Sequence, residues 1–140
     1  MQGKCLCGNV RFSLFGELPN LYQCHCSLCR KVSGSSSNAA FKIGREQLSW
    51  DAGAELIRQY ESETGFKSHF CSRCGSPLPN PTANDSAWWV PVGLLEGDAG
   101  LRVGAHLFVA SKAPWDVIPD AAEHFDEMPD YEALNQLLRR

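Results

Sequence analysis

Apolar and polar residues alternate over several short stretches of the chain. Val10, Phe12 and Leu14 form the first such stretch and predict a strand with one buried face. Further strands are predicted over residues 38–43, 55–60, 66–70, 87–92 and 105–109. Glycine and proline residues separate these stretches at regular intervals. The pattern predicts a mainly β fold.

Only two stretches are compatible with a helix. A short one follows Cys29 and ends near Gly34. The other covers residues 131–138, where Asp130 is suited to be the N-cap and two arginines follow the carboxyl end. Its apolar residues fall on one face, which we expect to pack against the sheet: Tyr131, Leu134, Leu137 and Leu138.

Composition bounds the class of protein. The 140 residues, 44% of them hydrophobic, fit a single domain spanning 1–140 that can bury a core without cross-links. Thirteen basic and sixteen acidic residues give a net charge of -3, with no basic run longer than two, which disfavours nucleic acid and anionic membranes as partners. No apolar stretch approaches the roughly 18 residues of a membrane helix, and the N-terminus lacks the apolar core of a secretory signal. We therefore expect a soluble, cytoplasmic protein.

The cysteines carry most of the chemical information. There are seven, an odd number, and none lies in the last 66 residues. In a reducing cytoplasm, clustered cysteines are more often metal ligands than disulfides. They fall in three short groups: Cys5 and Cys7; Cys24, Cys26 and Cys29; Cys71 and Cys74.

Two of these groups together make a four-thiolate site. Cys5 and Cys7 lie two residues apart, so on an extended segment they share a face, but they supply only half of a tetrahedral zinc site. Cys71 and Cys74 supply the other half, and Gly75 can take the positive φ that ends such a turn, as Gly8 can after Cys7. We predict a structural zinc held by Cys5, Cys7, Cys71 and Cys74.

The third group brings three thiols from six consecutive residues. Cys24, Cys26 and Cys29 leave a fourth position open, which is typical of a catalytic rather than a structural zinc. Zn²⁺ with three thiolates has a net charge of about -1, so it lowers the pKa of bound water less than a zinc held by imidazoles. Such a site suits a fourth, exogenous thiol held as a nucleophilic thiolate. The expected substrate is a small thiol.

The sequence leaves other uses of the same residues open. His25, His69 or His106 could supply a fourth ligand and close the second site, although His25 points away from its neighbours in an extended segment. Cys71 and Cys74 could form a redox pair, but Pro77 and Pro79 do not suit the helix that a thioredoxin-like motif needs.

Four ordered motifs resemble the glutathione-dependent formaldehyde-activating enzyme family, which includes the centromere protein V type. They are GKCLCGNV at 3–10, CHCSLCRKVSG at 24–34, FCSRCGS at 70–76 and HLFVASKAPW at 106–115. The resemblance implies an Mss4-like, zinc-stapled β fold with two zinc ions. It implies a structural ion on Cys5, Cys7, Cys71 and Cys74, and a catalytic ion on Cys24, Cys26 and Cys29.

The resemblance also implies an activity. The family's namesake reaction joins glutathione and formaldehyde to S-hydroxymethylglutathione, and it is classed with the carbon-sulfur lyases. On this hypothesis the thiol sulfur takes the open position on the zinc and attacks the aldehyde carbon, and a donor protonates the oxygen. His25, Ser27 and water are the candidate donors by position.

Two other classes of protein compete with this interpretation. A non-catalytic scaffold, stapled by two zinc ions, could bind a protein partner, and it would have a closed second site. A nucleic-acid-binding zinc ribbon is disfavoured by the negative charge and by the lack of a basic, aromatic-lined face.

Overall fold

The fold is mainly β, as the sequence predicts. The computed structural model describes all 140 residues, which form twelve strands in three sheets and two α-helices. The helices are α1 (Ser27–Ser33) and α2 (Tyr131–Leu138). The strands are β1 (Gln2–Lys4), β2 (Arg11–Leu14), β3 (Leu21–Cys24), β4 (Asn38–Gly44), β5 (Leu48–Ala52), β6 (Ile57–Glu61), β7 (Lys67–Cys71), β8 (Pro77–Leu78), β9 (Asn80–Pro81), β10 (Ala87–Pro91), β11 (Val103–Leu107) and β12 (Glu123–Phe125).

The chain divides into two compact units. The first comprises Met1–Leu18 and Lys42–Ala99, and the second comprises Pro19–Phe41 and Gly100–Arg140. Neither α-helix, of seven and eight residues, is long enough to cross a membrane.

Antiparallel pairing builds the first unit. Its strands pair in the orders β1-β2-β5 and β6-β7-β8, and β9 pairs with β10. The ring of Phe12 is fully buried over Gly3, where a side chain would collide with it. Val10 and Leu78 pack with Cys5 and Cys71 in one buried cluster, so two of the predicted ligands lie in the core of this unit.

Parallel pairing distinguishes the second unit. β11 runs parallel to both β3 and β12, and β3 pairs antiparallel with the first residues of β4. Helix α2 packs against β11 through the buried Leu134 and Leu138, and Leu138 lies against Gly104. Asp130 caps this helix by accepting hydrogen bonds from two backbone N–H groups, as predicted.

The predicted elements correspond to β2, β4, β6, β7, β10, β11 and both helices, with shifts of a few residues at their ends. Three boundaries were wrong. The strand predicted over 105–109 ends at Leu107, before a 3-10 turn at Val109–Ser111. Residues 54–56 form a 3-10 turn before β6. Helix α1 begins at Ser27, two residues before Cys29, because the sulfur of Cys26 accepts from the backbone N–H of Cys29 and acts as the N-cap. Tyr131 and Leu137 on α2 are more exposed than the predicted apolar face implied.

Candidate metal centres

The seven cysteines, all with free thiols, lie in two groups. In each group every sulfur lies within 4.8 Å of every other. One group comprises Cys5, Cys7, Cys71 and Cys74, and the other comprises Cys24, Cys26 and Cys29. Each group lies within a single unit of the chain, the first in the first unit and the second in the second. This grouping matches the sets of ligands that the cysteine spacing predicts.

Two similar turns build the four-thiol group. The carbonyl of Cys5 accepts from the N–H of Gly8 at 2.9 Å, and the carbonyl of Cys71 accepts from the N–H of Gly75 at 2.8 Å. Both glycines have positive φ, 73° and 74°, which L-residues with a side chain rarely adopt. The glycines therefore allow each pair of sulfurs to turn towards one point, as the sequence predicts.

The sulfur spacing in this group suits a tetrahedral ion. The sulfurs of Cys5 and Cys7 are 3.5 Å apart, and those of Cys7 and Cys71 are 4.0 Å apart. Four sulfurs at about 2.3 Å from a tetrahedral zinc lie about 3.8 Å from one another. The four thiols could therefore hold zinc with little rearrangement.

Local hydrogen bonds stabilise thiolates in this group. The side-chain amide of Asn9 donates to the sulfur of Cys7 at 3.2 Å and lowers the pKa of that thiol. Backbone hydrogen bonding from Ser76 lowers the pKa of Cys74 to about 6. Burial instead raises the pKa of Cys71. Metal ligands must be deprotonated, and the lowered pKa values of Cys7 and Cys74 favour that state. Cys71 depends more on a bound cation to lose its proton.

A strand end and a helix start build the three-thiol group. Cys24 is the last residue of β3, Cys26 is the N-cap of α1, and Cys29 is the third residue of that helix. The N–H of Cys29 donates to the sulfur of Cys26 at 3.4 Å, which holds these two residues together. The change from strand to helix within six residues directs the three sulfurs to one point.

One thiol of this group readily becomes a thiolate. A hydrogen bond from Cys29 lowers the pKa of Cys24 to about 6, against the opposing effect of burial. The same hydrogen bond and burial raise the pKa of Cys29. The pair thus shares a proton at neutral pH, and a bound cation would displace it.

No histidine or carboxylate belongs to the three-thiol group. His25, which the sequence offered as an alternative ligand, is buried and does not belong to the three-thiol group. Its Nδ1 lies 2.8 Å from Oδ2 of Asp116, and its Nε2 lies 3.0 Å from Nδ1 of His106. Both nitrogens therefore already have partners.

The other histidine considered as a ligand lies in the first unit. His69 is in β7, where its nitrogens lie beside the carbonyl of Pro79 and the side-chain oxygen of Gln59. It belongs to neither thiol group.

Sequence reasoning missed Asp116 altogether and gave His106 only as a possible ligand. The one available signal was their position at the two ends of the stretch 106–116, which overlaps a motif of the resemblance. A hydrogen bond between residues 91 positions apart leaves no periodic trace in a single sequence.

Comparisons with known proteins identify the family of the chain. The model of the family described as glutathione-dependent formaldehyde-activating enzyme matches residues 1–111. A curated relative from Halomonas elongata that carries the family's name is 38% identical over 84 residues, covering 56% of this chain and 54% of its own. One from Fusarium vanettenii with the same name is 31% identical over 75 residues, covering 54% and 40%. The matches thus span about half the length of these relatives.

A solved structure shares the fold. A crystal structure of a Rhodobacter sphaeroides protein superposes with a TM-score of 0.58 at 29% identity, covering 70% of this chain and 90% of that one. The family match covers both groups of cysteines and most of the strands. The chain belongs to the glutathione-dependent formaldehyde-activating enzyme family.

Proposed function

We propose that the chain is a zinc-dependent enzyme of the carbon-sulfur lyase type. Its substrates are a small thiol resembling glutathione and an aldehyde such as formaldehyde. One observation carries the proposal: the three sulfurs of Cys24, Cys26 and Cys29 converge within 4.8 Å, and no histidine or carboxylate joins them. Three ligands with an open fourth position are typical of catalytic zinc.

The donor set favours a thiol over water as the incoming group. When bound, Zn²⁺ would supply a positive centre that keeps a substrate thiol deprotonated at neutral pH. Zn²⁺ and three thiolates together have a net charge of about -1. Such an ion lowers the pKa of bound water less, so the site suits activation of a thiol better than hydrolysis.

The reaction itself is an addition. The thiolate sulfur donates an electron pair to the aldehyde carbon, a carbon-sulfur bond forms, and the carbonyl oxygen takes a proton. His25 is a poor source of that proton because Asp116 and His106 occupy both of its ring nitrogens. Ser27, which is exposed at the first position of α1, and water are the donors to test.

The four-thiol group has a different role. We propose that Cys5, Cys7, Cys71 and Cys74 hold a structural zinc. The group lies against the apolar core formed by Val10 and Leu78, and all four of its positions are filled by protein sulfurs. A saturated site leaves no position for substrate, so its ion serves the fold.

Residues 1–140 then act as one zinc-binding domain with two ions. Clustered cysteines that bind metal are typical of a reducing compartment, so we place the protein in the cytoplasm. The negative net charge argues against nucleic acid as a partner.

Turnover tests the proposal. Glutathione and formaldehyde also combine without a catalyst, so nuclear magnetic resonance exchange measurements should compare the interconversion rate with and without protein. We expect a rate increase that is lost in Cys26→Ser and retained in Ser86→Ala, a hydroxyl removed from an exposed turn. Two bound zinc ions with no rate increase for any small thiol and aldehyde would contradict the proposal and favour the non-catalytic scaffold.

A further inference from the structure

His25 occupies an unusual position between two of the proposed ligands. Its neighbours Cys24 and Cys26 direct their sulfurs to one point, whereas its own ring lies in the interior and is only 2% exposed. A buried imidazole costs free energy unless its nitrogens are hydrogen-bonded. Here both nitrogens are satisfied, by Asp116 at 2.8 Å and by His106 at 3.0 Å.

The two partners define how the ring is held. The carboxylate of Asp116 can only accept, so Nδ1 of His25 donates to it. Nε2 then faces Nδ1 of His106, a second buried imidazole. The ring is thus fixed in rotation at both of its polar positions, and the backbone between Cys24 and Cys26 is fixed with it.

The same stretch of chain holds this loop at two further points, and a third hydrogen bond lies within the stretch itself. The N–H of His25 donates to the carbonyl of Leu107 at 2.9 Å, beside the pairing of β3 with β11. Nη2 of Arg30 donates to the carbonyl of Ser111 at 3.4 Å, and Nζ of Lys112 donates to the carbonyl of Asp116 at 2.8 Å. Hydrogen bonds to the segment 106–116 therefore fix the conformation of the three-thiol loop.

We propose that His25, held by Asp116 and His106, is the positioning residue of the three-thiol metal site. It sets the separation and direction of the sulfurs of Cys24 and Cys26 without being a ligand. The inference rests on the metal site of the proposed function and not on the thiol-aldehyde reaction. The supporting contacts link the loop to residues 81 and 91 positions away.

Metal affinity tests this role independently of turnover. The zinc affinity of the three-thiol site would be measured by chelator competition on His25→Ala, Asp116→Ala and the double variant. Outer partners that orient metal ligands typically contribute ten- to a hundredfold to affinity. We expect a weakening of that size in each single variant and no further tenfold loss in the double variant, because the two residues act as a unit.

Matched variants separate positioning from general destabilisation. Asp120→Ala removes an exposed carboxylate four residues beyond the segment 106–116 and should leave zinc affinity unchanged. Asp116→Asn keeps the size of the side chain and guards against misfolding. In Asp116→Asn, we expect the cobalt(II) absorption of the three-thiol site to be altered and that of the four-thiol site to be preserved.

One result would contradict the positioning role of His25, and another would contradict the three-thiol metal site itself. If Cys26→Ser lacks the second zinc while His25→Ala and Asp116→Asn bind it as tightly as the native chain, the positioning role is overturned. If Cys26→Ser itself retains two zinc ions, the proposed metal site fails, whatever the histidine variants do.

Discussion

The sulfurs of Cys7 and Cys71 lie 4.0 Å apart although 64 residues separate them in the chain. A metal ion between them would close a long loop, whereas Cys24, Cys26 and Cys29 come from six consecutive residues and close only a short one. Closing a long loop removes more conformational freedom from the unfolded chain, so an ion that closes it stabilises the fold more. The two sites therefore differ in what they contribute to stability.

This difference gives the first prediction. Cys71→Ser should lose the four-thiol zinc and about 4 kcal/mol or more of unfolding free energy, since loss of a structural metal belongs to the largest effects known for single substitutions. Cys29→Ser should lose the other zinc at a clearly smaller cost. Urea unfolding with zinc counted by native mass spectrometry measures both. Equal losses in the two variants would show that the four-thiol group has no special structural role.

A second prediction concerns Gly53, which has a φ of 74°. A β-carbon at this position would collide with the carbonyl oxygen of Asn9. Gly53→Ala should cost at least about 2 kcal/mol, from both backbone strain and the collision. Gly65→Ala is the control, because Gly65 has a φ of 82° and open space around it. Gly65→Ala should therefore lose less stability than Gly53→Ala. Thermal unfolding of both variants measures the difference. Similar losses of stability in the two variants would contradict a collision at Gly53.

The shared proton of Cys24 and Cys29 predicts a pH dependence when the second metal is absent. Folding lowers the pKa of Cys24 from 9.0 to about 6, so between these values the unfolded chain binds more protons and stability rises with pH. The raised pKa of Cys29 opposes this only above about pH 9. The Cys26→Ser protein should therefore be more stable towards urea near pH 9 than near pH 6.

The control for this prediction is the double variant Cys24→Ser, Cys26→Ser. It retains the four-thiol group, so any pH dependence from that group is common to both proteins. Its stability should rise less steeply over the same window. An identical slope in the two proteins would show that Cys24 does not lose its proton on folding.

The cap of α2 provides a prediction outside the metal sites. Oδ1 of Asp130 accepts from the N–H groups of Glu132 and Ala133 at 3.0 and 3.1 Å. Asp130→Ala should cost about 1 kcal/mol and lower the melting temperature by about 3 °C. Asp126→Ala, which removes an exposed carboxylate four residues before the cap, should change the melting temperature little. Equal melting temperatures for the two variants would contradict the capping role.

Much of the fold and of the candidate sites could be predicted from local patterns. Alternation identified β2 and β4, and the Asp130 cap with its apolar face identified α2 at its observed bounds. Cysteine spacing identified both thiol groups, because ligands for one ion must be close in sequence or come in pairs that turns can bring together.

The parts that escaped prediction depend on distant contacts. β3 is buried along most of its length and has no alternation, and it lies inside its sheet between β11 and β4. β12 is a short, mostly polar segment that pairs in register with β11, and its other contacts are also made to residues outside the strand. The hydrogen bond between the buried His25 and the partly buried Asp116 joins residues 91 positions apart. None of these contacts has a local sequence signal.

The central claim is that the three-thiol group holds a zinc ion open to a substrate thiol. Native mass spectra of freshly purified, reduced protein, recorded with and without glutathione, test it most directly. The account predicts two zinc ions and a glutathione adduct, with Cys26→Ser and Cys29→Ser each losing one zinc and the adduct. A single zinc in the native chain, or two that bind no thiol offered, would contradict the claim.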